Sequence, residues 1–135
     1  HTASRVPDCA CDPTPVAFRV PPALYEVAPA ETAAICPRCL AVGAADAAVA
    51  EPADHPAFDR VADVFPTDYG GVALALLLGK LPSLAVEKPA VRTLRDHAEQ
   101  AGVDVTLTLE RLSEIDDVEP GFPLDRKVVQ MEQLV

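Results

Sequence analysis

Four cysteines, Cys9, Cys11, Cys36 and Cys39, lie within the first 39 residues of a 135-residue chain. Cys36-Pro37-Arg38-Cys39 has Cys-x-x-Cys spacing. In a zinc knuckle, that spacing lets one turn aim both thiolates and the nearby backbone N–H groups at a single ion. Cys9-Ala10-Cys11 is a tighter Cys-x-Cys pair. If the backbone between them is extended, both sulfurs still reach one tetrahedral centre. The two pairs together make a four-thiolate set for zinc that clips two short strands into a zinc-ribbon-like module. Such a clip explains how a Pro-rich segment with almost no core of its own stays ordered. Four thiolates close the coordination shell and leave no position for a substrate, so this metal is expected to be structural rather than catalytic.

Three other uses of the thiols compete. A disulfide framework fits four cysteines but not the reducing cytoplasm expected for this chain. A redox Cys-x-x-Cys normally opens a helix after a strand in a thioredoxin-like unit, and no such unit comes after Cys39. A three-cysteine metal site completed by Asp8, Asp12 or His55 is the third.

Outside the cysteines the chemistry thins out. His55, between Asp54 and Pro56, reads as a loop histidine, and His97, beside Arg95, Asp96 and Glu99, as part of a solvated helix face. Asp116, Asp117 and Glu119 form an acidic loop without the alternating oxygen-ligand pattern of a calcium loop. Gly70-Gly71 precedes a helix without the lysine of a phosphate-binding loop. No nucleophile, base and orienting acid stand in a recognisable catalytic arrangement.

The elements that must position these groups are legible in outline. Val16 to Val20 reads as a strand bounded by prolines, and Thr32 to Ile35 as a second strand running into Cys36. Pro21-Pro22 and the residues to Glu26 suggest one helical turn between them. Residues 41–54, small and acidic, read as a linker or extended arm. From Pro56 the period turns helical. Pro56 opens a short helix carrying Phe58, Val61, Ala62 and Phe65, and Pro66 stops it. Thr67 or Asp68 can cap the next helix, which is apolar all round from Val72 to Leu78 and so belongs at the centre of the body. Gly79, Leu81 and Pro82 end it. The longest apolar run is well short of the roughly 20 residues a membrane span needs.

A third helix covers about Lys88 to Ala101, striped by Val91, Leu94, Ala98 and Ala101. The segment from Val103 alternates like a strand. Read as a helix capped by Asp104 it carries the stripe Val105, Leu109, Leu112 and Ile115, and its polar partners Glu110, Arg111 and Glu114 favour that reading. A last helix runs from about Leu124 to Leu134 with Leu124, Val128, Met131 and Val135 inward.

Charge bounds the partners. The chain has 21 acidic and 11 basic residues, a net charge of −10, and only three lysines, Lys80, Lys88 and Lys127. In dilute buffer such a surface repels itself, a lever halophilic proteins use. At about 1 M salt the screening length falls to roughly 3 Å and most of the repulsion disappears. The composition therefore reads as that of a protein made for molar salt. Without a cluster of Lys and Arg to release counterions, direct nucleic-acid binding is not expected, nor is an anionic membrane surface. The start of the chain lacks the basic and apolar stretches of a secretion signal, so a cytoplasmic location is expected.

The motifs Pro7-Asp8-Cys9, Pro15-Val16-Ala17-Phe18, Val20-Pro21 and Cys36-Pro37-Arg38-Cys39-Leu40 resemble the amino-terminal ribbon of a family of uncharacterised halophilic archaeal proteins. Phe65-Pro66, the Val72 to Leu76 run, Ala101-Gly102-Val103-Asp104, Leu109-Glu110-Arg111-Leu112 and Gln130 to Leu134 extend the likeness over most of the chain. That family begins with a Cys-x-x-Cys pair. Here Val6 stands where its first cysteine would be, so Cys11 or another residue must substitute. The resemblance brings no activity with it.

The expectation is thus an α+β, mostly α protein: a zinc-ribbon-like module and linker over residues 1–50, and a bundle of four to five helices over 51–135. It is read as a non-enzymatic binding or adaptor protein that holds zinc on Cys9, Cys11, Cys36 and Cys39 and contacts another protein. A small thiol-redox protein and a transcription-associated ribbon working through protein partners are the alternatives.

Overall fold

The structure is a computed structural model, and it describes residues 16–28, 31–44, 58, 61, 65–66, 69–115, 118–120 and 122–134. It is mostly helical with one small antiparallel sheet, in agreement with the expected α+β class. Of the short helix expected after Pro56, Phe58, Val61 and Phe65 are described and buried, as its apolar side requires; the rest of it and the caps expected at Thr67 or Asp68 lie outside the described residues.

Strand β1 (Val16–Arg19) alternates as a half-covered strand should: Val16 and Phe18 are buried and Arg19 is exposed. Strand β2 (Thr32–Ile35) is buried at all four positions because it is the middle strand of the order β1-β2-β3. Val16 pairs with Ile35 and Arg19 with Thr32. The connection is a 3₁₀ turn at Pro22–Val27 that buries Leu24. Strand β3 (Val42–Ala44) pairs Val42 with Ile35 and Ala44 with Ala33. It occupies the beginning of the segment expected to be a linker. Small residues such as Gly43 and Ala44 carry almost no strand signal of their own, so the strand exists only through its pairing with β2.

Helix α1 (Tyr69–Lys80) is the central element. Gly70 to Leu78 are buried without a break, as the all-round apolar run requires. Its 12 residues span about 18 Å, against roughly 30 Å of hydrocarbon in a bilayer. The apolar stretch does continue, through a 3₁₀ turn at Leu81–Ser83, into α2 (Leu84–Gln100). That path bends rather than running straight, because Glu87 leaves helical geometry at φ −104°, ψ 19°. Pro89 comes just after the bend, at a place where the helix is restarting, which is why the sequence suggests a start near Lys88. Lys80 and Glu87 pair at 2.7 Å across the turn. Val91, Leu94 and Ala98 are buried as expected; Ala101 is exposed and belongs to the cap, where Gly102 N–H donates to Glu99 O and Val103 N–H to Ala98 O.

The ambiguous segment is helical. Asp104 Oδ1 accepts from Leu107 N–H at 3.1 Å and opens α3 (Val105–Ser113), which buries Val105, Leu109 and Leu112. Helix α4 (Leu124–Leu134) buries Leu124, Val128 and Met131. One polar knot joins three helices: Glu132 of α4 accepts from Thr106 of α3 at 2.7 Å and pairs with Arg95 of α2 at 2.9 Å. The Thr106 hydroxyl does most to hold the Glu132 carboxyl below its ordinary pKa, with Arg95 assisting against partial burial. Burial works against the charge on Arg95, yet its bonds to Glu99 and Glu132 raise its pKa.

Sheet and helices share one hydrophobic core. Phe18 of β1, Phe58 and Phe65 stack edge to face and tilted, with ring centres 5.1 and 4.9 Å apart, and the buried side chains of α1 continue the same cluster. Gly79 lies where any Cβ would sit 2.8 Å from the Cβ of Val42, so its bare backbone is what lets β3 lie against α1.

Candidate metal centre

The Cys36 to Cys39 turn joins β2 to β3. Cys36 is completely buried at the end of the central strand and Cys39 is half-buried. Cys36 N–H donates to Ala41 O at 2.9 Å and Leu40 N–H donates to Cys36 O at 3.0 Å, which closes the hairpin. Inside the turn, the N–H groups of Arg38 and Cys39 both point at Cys36 Sγ, each at 3.5 Å. Two donors aimed at one sulfur stabilise negative charge on it, as a metal-bound thiolate needs.

Leu40 is next, with φ +64°. A side chain in that region costs about 1–2 kcal/mol, which is why glycine is common there. Leu40 is completely buried in the shared core, and burying such a side chain contributes roughly 1.5–3 kcal/mol. The packing therefore outweighs the torsional cost, and the turn is pinned from beneath.

It is also pinned from the side. Arg38 O accepts from Glu119 N–H at 2.7 Å, and Arg38 Nε donates to Glu119 Oε2 at 2.6 Å. The ion pair is half exposed and so contributes little energy. Its importance is positional: it fixes the cysteine turn against the connection between α3 and α4. Glu119, read from sequence as part of an acidic loop, is thus a partner of the cysteine turn. A pairing across 81 positions leaves no local signal in sequence.

Of the other expected ligands, Cys9, Cys11, Asp8, Asp12 and His55 lie outside the described residues, as do Asp116 and Asp117. Among the described residues no group of three or more His, Cys, Asp or Glu side chains is placed to hold a metal; Cys36 and Cys39 are one half of the expected set. The residues present fit a zinc knuckle in donor chemistry and in the two N–H groups on sulfur. They fit a redox couple less well, since Cys39 leads into a left-handed residue and a strand rather than into the helix that would activate a thiol.

His97 does not lie on a fully solvated face. It is half-buried, and Tyr69 Oη lies 3.0 Å from its Nδ1. Its position three residues after Leu94 and next to Ala98, both buried, is the signal that could have placed it at the edge of the apolar stripe. Gly70 and Gly71 are buried in the first turn of α1, and at Gly71 a Cβ would meet the Pro66 carbonyl and the Phe58 ring, so Gly71 serves packing.

A family model described as a family of unknown function (DUF6276) matches residues 8–135. None of the curated proteins and no solved structure gives a significant match.

Proposed function

The chain belongs to the family of unknown function DUF6276, and we propose that it is a non-enzymatic binding or adaptor protein of a high-salt cytoplasm, its amino-terminal sheet closed by a structural zinc ion. Cys36 and Cys39 supply one pair of thiolates; Cys9 and Cys11 supply the other. The observation that carries this reading is the turn in which two backbone N–H groups converge on Cys36 Sγ. The small antiparallel sheet around it supports a zinc-ribbon-like architecture. Bound zinc would hold the turn to the segment before β1 and offer no open position for a substrate. The recognition surface then falls to the acidic helical body, and its partner is another protein.

Metal analysis of the native protein tests this: one zinc per chain is expected, released by a strong chelator with loss of sheet structure. Protein without metal, or thiols that react rapidly while the metal stays bound, would sink the structural-zinc reading in favour of a redox one. High-salt adaptation has its own test. The melting temperature should rise as salt goes from about 0.1 M to above 1 M, because repulsion among surface carboxylates is then screened. A flat melting temperature across that series would count against it.

A further inference from the structure

We infer that the groove between α3 and α4 is a docking site for a short amphipathic helix of another protein that carries Lys or Arg beside its apolar residues. The inference deepens the binding-protein reading and rests on it. The groove is open and encloses about 490 Å³, room for a few side chains rather than a whole domain.

Its floor is apolar, and it brings two of the exposed large hydrophobic residues together. Leu107 is 43% exposed and Val129 57% exposed, and both line the groove above the buried Val128. Leu107 is turned away from the stripe of Val105, Leu109 and Leu112 that packs α3 into the core. It continues instead into Glu110, Arg111 and Glu114, which fall at the i+3, i+4 and i+7 positions of a second helix face. A groove between two helices with one exposed apolar residue from each, Leu107 and Val129, and charged residues along its rim suits a helix laid along it.

The rim decides the sign of the partner. Glu110 and Glu114 from α3 and Asp125 from α4 stand against a single cation, Arg111. Among the described residues none of the three carboxylates is in an ion pair, whereas Glu87, Glu99, Glu119 and Glu132 each meet a cation. A rim of uncompensated carboxylates over an apolar floor is complementary to basic residues flanking an apolar pair, and it repels an acidic helix.

Two synthetic helical peptides of about three turns, roughly 11 residues, test this with isotope-labelled full-length protein at moderate salt. Both carry leucine at i and i+4; one is flanked by lysines and the other by glutamates. The lysine peptide should shift the amide signals of Leu107, Glu110 and Val129, with affinity at least about tenfold above the glutamate peptide. Val129→Asp, on an exposed position, should abolish binding of the lysine peptide. The double variant Glu110→Lys, Glu114→Lys should invert the preference. Equal binding of the two peptides, shifts confined to another face, or no binding of the lysine peptide would overturn the proposal. So would concentration-dependent shifts of the free protein that vanish in Val129→Asp, since the occupant would then be a second copy. Metal content measured on the same sample separates the outcomes: an empty cysteine site removes the zinc reading and leaves the peptide result standing.

Discussion

Replacing Gly71 with alanine lowers the melting temperature by roughly 6–12 °C. Elementary helix propensity points the other way, since alanine in place of glycine inside a helix is worth up to about 1 kcal/mol of stabilisation. The surroundings reverse the sign. A Cβ on Gly71 would collide with the carbonyl oxygen of Pro66 and stand 2.7 Å from Cδ2 of Phe58. Overpacking a well-filled core costs typically about 1–3 kcal/mol, occasionally more. Here the nearest obstacle is backbone, which cannot swing aside as a side chain can. Phe58 is itself held between Phe18 and Phe65, so the disturbance passes to the rings that join the sheet to α1. Trimming Phe58 to leucine should not rescue the variant, because the Pro66 carbonyl remains in place. Thermal unfolding followed by circular dichroism measures both variants. A Gly71→Ala protein that melts within a degree or two of the parent would mean that the first turn of α1 does not approach Pro66 so closely.

The double substitution Cys36→Ser, Cys39→Ser should have the larger effect. A ligand held at a thousand times its dissociation constant stabilises the folded state by about 4 kcal/mol, and the substitution removes that together with two N–H to sulfur contacts. Amide signals of residues 16–44 should collapse toward unfolded positions, and the protein should no longer retain zinc. The helices should persist more fully than the sheet, since α1 and α2 make the most extensive packing between elements. A competing force makes the result informative. The sheet buries Val16, Phe18, Ile35 and Leu40 completely or nearly so. If those residues hold it alone, the double variant keeps its signal dispersion, and metal is not what orders the amino-terminal third.

How much of this was legible in the residues depended on the range of the forces involved. β1 and β2 were readable because proline bounds them and their apolar residues can cover a core. α3 was readable as a helix because a local cap, Asp104, agreed with a local stripe. β3 was not, because Val42-Gly43-Ala44 is a strand only through its pairing with β2. The beginning of α2 was hidden by Pro89, which marks a helix start although Leu84 to Val86 already turn helically before a bend at Glu87. At the candidate metal centre, spacing alone identified Cys36 and Cys39. It could not reveal the buried, left-handed Leu40 or the grip of Glu119 on Arg38. Both depend on tertiary neighbours far along the chain.

That grip has a consequence for how the chain is made. Synthesis delivers the cysteine turn long before Glu119 has left the ribosome. The strands likewise emerge before α1, whose side chains cover them. Until the carboxy-terminal half arrives, the nascent hairpin has one apolar side facing water and one half of its clamp missing. Its assembly is therefore tied to synthesis of α1 and of the connection between α3 and α4, and a truncated product ending before α1 would leave the amino-terminal segment exposed to proteases and to its own neighbours on a polysome.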